Sequence, residues 1–513
     1  MGKLFGTDGI RGIANEYISP ELTVKIGRAG AHALAGHLKR QGTAGRAPKI
    51  LVGTDTRLSA DMLEAALVAG LCSVGAEVYR AGVIPSPAMA FLVRHYKMDA
   101  GVMLSASHNA MEDNGIKFFD DAGYKLSDEV EAEIEALVGE RAWEIPRPVG
   151  KEMGRSFSCE NGIVDYVDFL AGTIDKGLSG GGSKAEGFDD ERLNNEKCNN
   201  GRPFTDLKVA LDCANGATYE AAPMIFRKLG AEVFPLHYKP DGININENCG
   251  STHLESLQAY VKANHVDIGL AFDGDGDRVL CVDETGEVLD GDGIMAICGL
   301  ALKKKGLLKN NTIVATVMSN LGLEWLCRKE GINLLRTAVG DRYVVQEMKA
   351  EGYNLGGEQS GHIIFHDYNT TGDGILTGLQ LLATLKESGQ KLSQLRSKME
   401  IVPQVLLGAK LGGRVTEDEI KQNEKISKAI RAVELKVAGV DSSGGGNIGD
   451  GSNSSVSSCA GSNDNNNAAS AGRVLIRPSG TEPLVRVMIE GRDQTAIQQW
   501  AEALVQIIEK ELR

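Results

Sequence analysis

Several polar residues follow directly on a short apolar run at residues 101–104, Gly-Val-Met-Leu. The run predicts a buried strand, and Ser105, Ser107 and His108 come directly after it. A serine just past a strand in an α/β chain lies at the edge where such folds bind ligands. Ser107 is therefore a candidate carrier of a transferable phosphoryl group, and His108 and Lys117 are suited to holding phosphate. A polar turn that caps the next helix is the alternative, since Ser and Asn are favoured there.

Three carboxylates stand at alternate positions, Asp273, Asp275 and Asp277, with glycines between them. This spacing concentrates oxygen ligands for a hard cation such as Mg²⁺. Without a cation the three carboxylates would repel one another, which raises their pKa values. A solvated acidic turn is the alternative, although turns rarely place three acids so regularly. A Ca²⁺-binding EF-hand is rejected, because Arg278 stands where that loop needs glycine and because the flanking residues predict strands.

A glycine-bounded segment at residues 356–362 contains Glu358, Gln359, Ser360 and His362 after a predicted strand. Carboxylates and amides on such a loop suit the vicinal hydroxyls of a sugar. A hairpin or crossover turn explains the segment equally well when it is taken alone.

The fourth candidate site is the segment Arg-Pro-Ser-Gly-Thr-Glu-Pro at residues 477–483. The backbone amides of Ser479, Gly480 and Thr481, two hydroxyls and the guanidiniums of Arg477 and Arg486 predict a nest for a phosphate monoester. A structural turn with charged flanks is the alternative.

Composition limits the function classes. The chain has 513 residues, which predicts three or four domains, and 42% hydrophobic with 24% charged residues are typical of a globular protein. A net charge of −14 argues against a nucleic-acid or anionic-membrane partner. Nine scattered cysteines predict reduced thiols, and the absence of a signal peptide or long apolar run predicts a cytoplasmic protein. Cys249 and His253 have metal-ligand spacing, but no second pair accompanies them.

Strands that alternate with helices predict parallel α/β units. Ser19-Pro20-Glu21 predicts a helix start, and this helix should run to about Lys39. The strand at 268–272 is expected to open the third unit, and the last unit has α+β order with a helix near 417–434. Two segments rich in Gly, Asn and Ser, 178–203 and 440–470, are predicted to be disordered insertions. The predicted domains are 1–155, 156–262, 263–378 and 379–513.

In this order, the motifs Ser-Ala-Ser-His-Asn, Asp-Gly-Asp-Gly-Asp-Arg, Gly-Glu-Gln-Ser-Gly and Arg-Pro-Ser-Gly-Thr-Glu-Pro resemble those of the α-D-phosphohexomutase family. The resemblance covers nearly the whole chain, and residues 337–342 with Gln359 look like the glucosamine branch. It implies an α/β fold of three α/β/α sandwich domains plus a C-terminal α+β domain around a central cleft.

The resemblance also implies roles for individual residues. Ser107 would be the activating phosphoserine, and Asp273, Asp275 and Asp277 would hold one Mg²⁺ together with its phosphate. Arg11, His108 and Lys117 would line the reacting centre, with Lys117 as general acid–base and Arg278 orienting the metal loop. Sugar hydroxyls would contact Glu358 and Ser360. The non-reacting phosphate would be bound by Arg477, Ser479, Gly480, Thr481 and Arg486.

The activity implied by the resemblance is interconversion of glucosamine 6-phosphate and glucosamine 1-phosphate through a phosphoserine enzyme and a bisphosphate, which feeds UDP-N-acetylglucosamine synthesis. A glucose or mannose phosphomutase is the nearest alternative, and a sugar-phosphate phosphatase or a non-catalytic sensor are others. Members of this branch are often dimers, so a homodimer is a possible assembly. The family usually has proline after Ser-His-Asn, whereas this chain has Ala110. Proline would stiffen the loop, so the loop is expected to be looser here.

Overall fold

A computed structural model describes residues 4–6, 8–40, 46–178, 202–413, 415–438, 472–479 and 483–512. The chain forms two compact units. The first comprises Met1–Met318 with Asn333–Lys398, and the second comprises Ser319–Ile332 with Met399–Arg513. Most of the two predicted insertions, residues 179–201 and 440–470, lies outside the described residues.

The first sheet of the first unit has six strands: β1 (Ile10–Ile13), β2 (Lys49–Thr54), β3 (Glu77–Val83), β4 (Ala100–Leu104), β5 (Asp113–Asp120) and β6 (Arg155–Ser158). They lie in the order β1-β5-β4-β2-β3-β6. Strand β2 pairs in parallel with both β3 and β4. Every residue of β4 is buried, and because successive side chains point to opposite faces, both faces of the sheet are covered there.

The helices that belong with this sheet are α1 (Pro20–Arg40), α2 (Ser59–Cys72), α3 (Ser86–His95) and α4 (Asp128–Val138). The predicted start of α1 is confirmed, because the Ser19 hydroxyl accepts a hydrogen bond from the Leu22 N–H at 3.3 Å. Apolar residues of α1, α2 and α4 form one buried core with those of the strands.

The second sheet contains β7 (Lys208–Asp212), β8 (Glu232–Leu236), β9 (Ile268–Phe272), β10 (Val279–Asp283) and β11 (Val288–Leu289), with helices α5 (Gly162–Leu178), α6 (Ala221–Lys228) and α7 (Glu255–Asn264). The strand order is β11-β10-β9-β7-β8. We expected β9 to open the third unit, and this was wrong. Strand β9 pairs in parallel with β7, and β10 returns antiparallel to β9, so all three belong to the second sheet.

The third sheet contains β12 (Thr312–Thr316), β13 (Asn333–Thr337), β14 (Leu355–Gly357) and β15 (Ile363–Phe365), in the order β13-β12-β14-β15. Its helices are α8 (Gly291–Lys304), α10 (Asp341–Glu351), α11 (Gly374–Ser388) and α12 (Leu392–Arg396). Between β12 and β13 the chain passes through α9 (Leu321–Glu330), which belongs to the second unit.

The second unit holds an antiparallel sheet of β16 (Gln404–Lys410), β17 (Gly472–Pro478) and β18 (Leu484–Gly491), in the order β16-β18-β17. Its helices after α9 are α13 (Glu417–Gln422), α14 (Glu424–Val437) and α15 (Gln494–Glu511). The single helix predicted near 417–434 is therefore two helices. Asn423 separates them because its side chain caps α14, accepting from the Lys425 and Ile426 N–H groups. Among the described residues, no helix is long and apolar enough to cross a bilayer.

Candidate active site

Ser107 lies in the turn that leaves the carboxyl end of β4, at the position predicted from the apolar run. Its side chain is almost completely buried, and its φ of +56° places it in the left-handed region that few non-glycine residues occupy. The Ser107 Oγ donates a hydrogen bond to Asp273 Oδ2 at 2.6 Å. The turn after β4 in the first sheet therefore meets the turn after β9 in the second sheet.

The turn after β9 carries the three predicted metal ligands. Oxygen atoms of Asp273, Asp275 and Asp277 lie within 4.8 Å of one another, and all three side chains are buried. Burial and the charges of the other two carboxylates raise the pKa of Asp273 well above its usual value. Asp275 Oδ1 and Asp277 Oδ1 are buried without a hydrogen-bond partner. Such a donor set can hold a metal ion, because a cation would satisfy these oxygens and remove the mutual repulsion.

Lys117 reaches the same carboxylates from the neighbouring strand β5. Its Nζ donates to Asp275 Oδ2 at 2.8 Å and lies 3.2 Å from Asp8 Oδ2. Burial favours the neutral amine, but the charges of Asp275 and Asp8 outweigh it and raise the pKa of Lys117. Lys117 therefore carries a proton beside the metal loop.

His108 and Arg278 form a second pair at the site. Burial and the charges of Arg278 and Arg11 lower the pKa of His108 to about 4, so the imidazole is neutral near pH 7. Its Nδ1 accepts from Arg278 Nη1 at 3.2 Å and lies 3.5 Å from Ser107 Oγ. Arg11 lies on β1 and pairs with Asp8, which places it beside the carboxylate that Lys117 also contacts.

The predicted sugar loop follows β14 and lies next to the metal loop. The Val279 N–H, just after the metal loop, donates to the Gly361 carbonyl at 3.1 Å. Glu358 accepts a hydrogen bond from the Gly340 N–H at 3.1 Å. Burial lowers the pKa of Arg278, but the negative charges of the metal-loop carboxylates and of Glu358 outweigh burial and raise it. Ser360 is exposed. The first unit thus brings three of the four predicted motifs together.

The fourth motif lies in the second unit. Strands β17 and β18 form an antiparallel hairpin in which Arg477 and Arg486 are directly opposite each other. The Ser479 N–H donates to the Leu484 carbonyl at 2.8 Å, which closes the end of the hairpin. Gly480 and Thr481 lie outside the described residues.

The sequence did not predict a group of buried and half-buried charged residues that surrounds Lys117. Lys125 bridges Asp8 and Asp341, with a distance of 2.5 Å to Asp341 Oδ2. His362 lies 3.6 Å from both Asp277 and Asp341, and its Nε2 accepts from a backbone N–H at 3.0 Å. His362 and Asp341 stand within segments that the motifs already marked, whereas Lys125 carries no local signal.

Cys249 is buried and His253 is exposed, and the structure places Cys249 beside two other residues. Oxygen, nitrogen and sulfur atoms of Asp212, His237 and Cys249 lie within 4.8 Å of one another. However, both Asp212 oxygens already accept backbone N–H groups, from Ala214 at 2.9 Å and Gly250 at 3.0 Å. This carboxylate is therefore accounted for by its role in ordering two turns.

The carboxyl edge of an α/β sheet is where such folds bind ligands, and a serine hydroxyl beside carboxylates that can hold a metal ion suits phosphoryl transfer, in which a metal neutralises charge on the transferring group. The family models for phosphoglucomutase/phosphomannomutase match this chain in four segments: alpha/beta/alpha domain I at 2–144, domain II at 191–286, domain III at 290–401 and the C-terminal domain at 464–507. The chain belongs to the phosphoglucomutase/phosphomannomutase family. The predicted fold class, three α/β/α domains with a distinct C-terminal domain, is confirmed.

Curated relatives resemble the chain over its full length. The phosphoglucosamine mutase of Acetivibrio thermocellus is 49% identical over 512 residues, and that of Ruminiclostridium cellulolyticum is 50% identical over 514 residues. Each match covers 100% of both chains. These relatives confirm the predicted enzyme class, an isomerase of the phosphomutase type.

Solved structures show the same fold. A phosphoglucomutase/phosphomannomutase family protein of Burkholderia thailandensis has a TM-score of 0.72 at 22% identity, and the match covers 99% of this chain and 97% of that one. The N-acetylphosphoglucosamine mutase of Aspergillus fumigatus, solved in complex with GlcNAc-6P and magnesium, has a TM-score of 0.66 at 16% identity, with coverage of 99% and 96%.

Proposed function

We propose that the protein interconverts glucosamine 6-phosphate and glucosamine 1-phosphate, with Ser107 as the phosphoryl carrier. The observation that carries this proposal is the buried Ser107 hydroxyl, which donates to Asp273 of the carboxylate cluster at 2.6 Å. The substrate is proposed from the relatives that are about half identical over the whole chain. A cytoplasmic location, a supply of UDP-N-acetylglucosamine and a homodimer are part of the same proposal. The predicted domain limits at 155 and 378 are not, because β6 (Arg155–Ser158) belongs to the first sheet and α11 (Gly374–Ser388) runs through residue 378.

The reaction has two phosphoryl transfers. First, the C1 hydroxyl oxygen of glucosamine 6-phosphate attacks the phosphorus of phospho-Ser107, and the bond from phosphorus to Oγ breaks. The resulting glucosamine 1,6-bisphosphate turns over in the site. Ser107 Oγ then attacks the phosphorus at C6, the bond to the C6 oxygen breaks, and glucosamine 1-phosphate leaves the phosphorylated enzyme.

Lys117 is the residue that we assign to proton transfer. The charges of Asp275 and Asp8 keep its pKa raised although it is buried, so it holds a proton that it can give to Oγ as that oxygen leaves. The proton of the attacking sugar hydroxyl restores it. Arg11 and the neutral His108, which Arg278 holds in place, contribute donors and orientation at the transferring group.

The three carboxylates fit a Mg²⁺ ion, and Asp273, Asp275 and Asp277 would hold it together with the Ser107 phosphate. Two observations support this fit: oxygen atoms of the three carboxylates lie close together, and two of these buried oxygens have no hydrogen-bond partner. Bound there, Mg²⁺ supplies positive charge that stabilises the charge on the transferring phosphoryl oxygens.

The loop after β14 and the hairpin of β17 and β18 supply the proposed contacts to the substrate. Glu358 and Ser360 would bind sugar hydroxyls. The hairpin residues Arg477, Ser479 and Arg486, with the backbone at Gly480 and Thr481, would bind the phosphate that is not reacting. This phosphate-binding site must accept the phosphate at either end of the sugar, because the bisphosphate is bound in two orientations.

The deciding experiment is a product assay with glucosamine 6-phosphate, Mg²⁺ and a catalytic amount of bisphosphate. We expect glucosamine 1-phosphate from the wild type and none from Ser107→Ala. Equal turnover of glucose 6-phosphate or mannose 6-phosphate would favour the alternative that the family description includes. Release of inorganic phosphate that outpaces isomer formation would favour a phosphatase. Unchanged isomerisation by Ser107→Ala would refute the mechanism.

A further inference from the structure

A single arginine, Arg57, donates hydrogen bonds to several main-chain carbonyls of the loop that carries Ser107. Arg57 lies just after β2, the strand next to β4, and its side chain is fully buried. Its Nη2 donates to the carbonyl oxygens of Ser107 at 3.1 Å and Asn109 at 2.9 Å. Its Nη1 donates to the carbonyls of Ala110 and, at 3.0 Å, Asp113.

The fifth N–H of the guanidinium is used as well. Arg57 Nε donates to Asp55 Oδ2 at 2.9 Å. A guanidinium has five N–H donors in a rigid planar fork, so every one of them is engaged here. Four of the five bind main-chain carbonyls of a single loop, which is an arrangement that a flexible lysine with three donors cannot reproduce.

Asp55 connects to Ser107 by a second route. Its Oδ2 accepts the Ser105 hydroxyl at 2.6 Å, and the Ser105 Oγ accepts the Ser107 N–H at 2.9 Å. The N–H and the C=O of Ser107 are thus both connected to the pair of Asp55 and Arg57. From the second sheet's side, Asn246 Nδ2 donates to the carbonyls of Ser107 and Asn109, each at 2.9 Å.

Ser107 needs this support because of its backbone. A left-handed φ at a non-glycine residue costs free energy and persists only where the surrounding structure over-determines it. Residues 107–113 contain no proline, so no ring limits the conformations of the loop. External hydrogen bonds replace that local stiffness.

We propose that Arg57 is the positioning residue of the phosphoryl carrier: its guanidinium holds the 107–113 loop so that Ser107 Oγ stays at the Asp273 carboxylate through both transfers. The proposal rests on the proposed function of Ser107. It assigns to Arg57 no contact with substrate. The proposal has a chemical consequence, because a phosphoserine that moves away from the sugar hydroxyl can be attacked by water instead.

That competing reaction is hydrolysis of the phosphoserine. A water oxygen attacks the phosphorus of phospho-Ser107, the bond from phosphorus to Oγ breaks, Oγ takes a proton and inorganic phosphate leaves. A correctly held carrier gives its phosphoryl group to sugar, so the ratio of inorganic phosphate released to isomer formed reports the position of Ser107.

The test compares Arg57→Lys with Arg94→Lys. Arg94 is a suitable control because it is a half-buried arginine that donates to the Ala90 carbonyl at 3.0 Å and to Asn369 at 2.8 Å and makes no bond to the Ser107 loop. For Arg57→Lys we expect kcat to fall about tenfold to 100-fold, since a displacement of about 1 Å at a reacting group has an effect of this size. KM should change less than about twofold and the phosphate-to-isomer ratio should rise, because only the transfer geometry is affected.

A merely structural arginine would give another result. Arg94→Lys should leave both kcat and the ratio unchanged even if it lowers the melting temperature as much as Arg57→Lys does. Equal kcat and equal ratios for the two variants, or a raised KM with unchanged kcat for Arg57→Lys, would overturn the proposal. If Arg57→Lys does not fold, Asp55→Asn carries the test, because it removes the charge that pairs with Arg57 Nε: a raised phosphate-to-isomer ratio supports the proposal and an unchanged ratio overturns it.

The same assay separates this proposal from the function on which it rests. A wild type that forms no glucosamine 1-phosphate would show that the proposed function fails. A wild type that isomerises, beside an Arg57→Lys variant that isomerises equally well without added phosphate release, would show that the positioning role alone fails.

Discussion

Gly274 lets the metal loop touch the phosphoserine loop. A Cβ at this position would lie 2.4 Å from the Ser107 carbonyl oxygen, 2.8 Å from Asn246 Nδ2 and 3.0 Å from Ile245 Cδ1. The first two atoms belong to the hydrogen-bonded group that holds Ser107 in place. We therefore expect Gly274→Ala to separate the two loops rather than to unfold the protein.

The size of the effect follows from the contact distance. Ordinary van der Waals contact begins at 3.4 Å, so the Ser107 carbonyl and the new methyl group must move apart by about 1 Å. A backbone carbonyl cannot rotate away as a flexible side chain would. A misplacement of about 1 Å at the reacting centre lowers the rate about 100-fold, which corresponds to about 2.7 kcal/mol in the activation free energy.

The assay is steady-state formation of glucosamine 1-phosphate by Gly274→Ala, with Gly172→Ala as the matched control. Gly172 lies inside α5, and a Cβ there meets nothing within 4 Å, so the control should keep full activity. A kcat of Gly274→Ala within about threefold of the wild type would contradict this prediction, because activity would then not depend on the close approach of the two loops.

Three further predictions concern the phosphoryl carrier and two buried carboxylates. Ser107→Ala should contain no phosphoserine by intact mass after incubation with bisphosphate, while the wild type gains one phosphoryl group. Asp273→Asn should lose Mg²⁺ binding, yet the metal-free variant should be more stable than the metal-free wild type near pH 8. Burial and like charges raise the pKa of Asp273, so its carboxylate is disfavoured in the folded state, and asparagine removes that carboxylate. Melting temperatures measured with and without Mg²⁺ check this prediction. Burial raises the pKa of Asp373 to about 6, so the folded state binds more protons than the unfolded state between about pH 4 and 6, and stability should fall as pH rises through that window. The loss is about 3 kcal/mol, and Asp373→Asn should remove this slope in urea unfolding series.

Each of these has a result that contradicts it. Phosphorylation of Ser107→Ala would place the carrier on another residue. A metal-free Asp273→Asn protein that melts below the wild type near pH 8 would mean that the hydrogen bonds to Asp273 outweigh the repulsion. An equal pH slope in wild type and Asp373→Asn would assign the slope to other groups.

Local patterns predicted much of the secondary structure. The capped start of α1 and the apolar run of β4 were both read correctly, because caps and short apolar runs act over a few residues. The same patterns gave a wrong helix boundary where the side chain of a single residue caps a helix within the periodic segment. Asn423 lies within a helical periodicity and nevertheless ends one helix and caps the next.

Pairing over long range was not predictable from these patterns. Strand β9 has the composition of any buried strand, and only its hydrogen bonds to β7 assign it to the second sheet. The supporting residues of the site were missed for a related reason. Arg57, Asn246 and Lys125 lie in segments without a motif, and their roles come from partners 50 to 216 residues away along the chain.

The sequence alone determined which chemical groups are available: a serine at the end of a strand, three alternating carboxylates, a polar loop bounded by glycines and a turn flanked by two arginines. It did so because these features are local, and the order of the motifs pointed to the family. Only the tertiary structure decided which groups meet. Ser107 and Asp273 are 166 positions apart, and their 2.6 Å hydrogen bond exists because the carboxyl ends of two strands in different sheets face each other. Packing and strand pairing set that distance, and they depend on the whole fold.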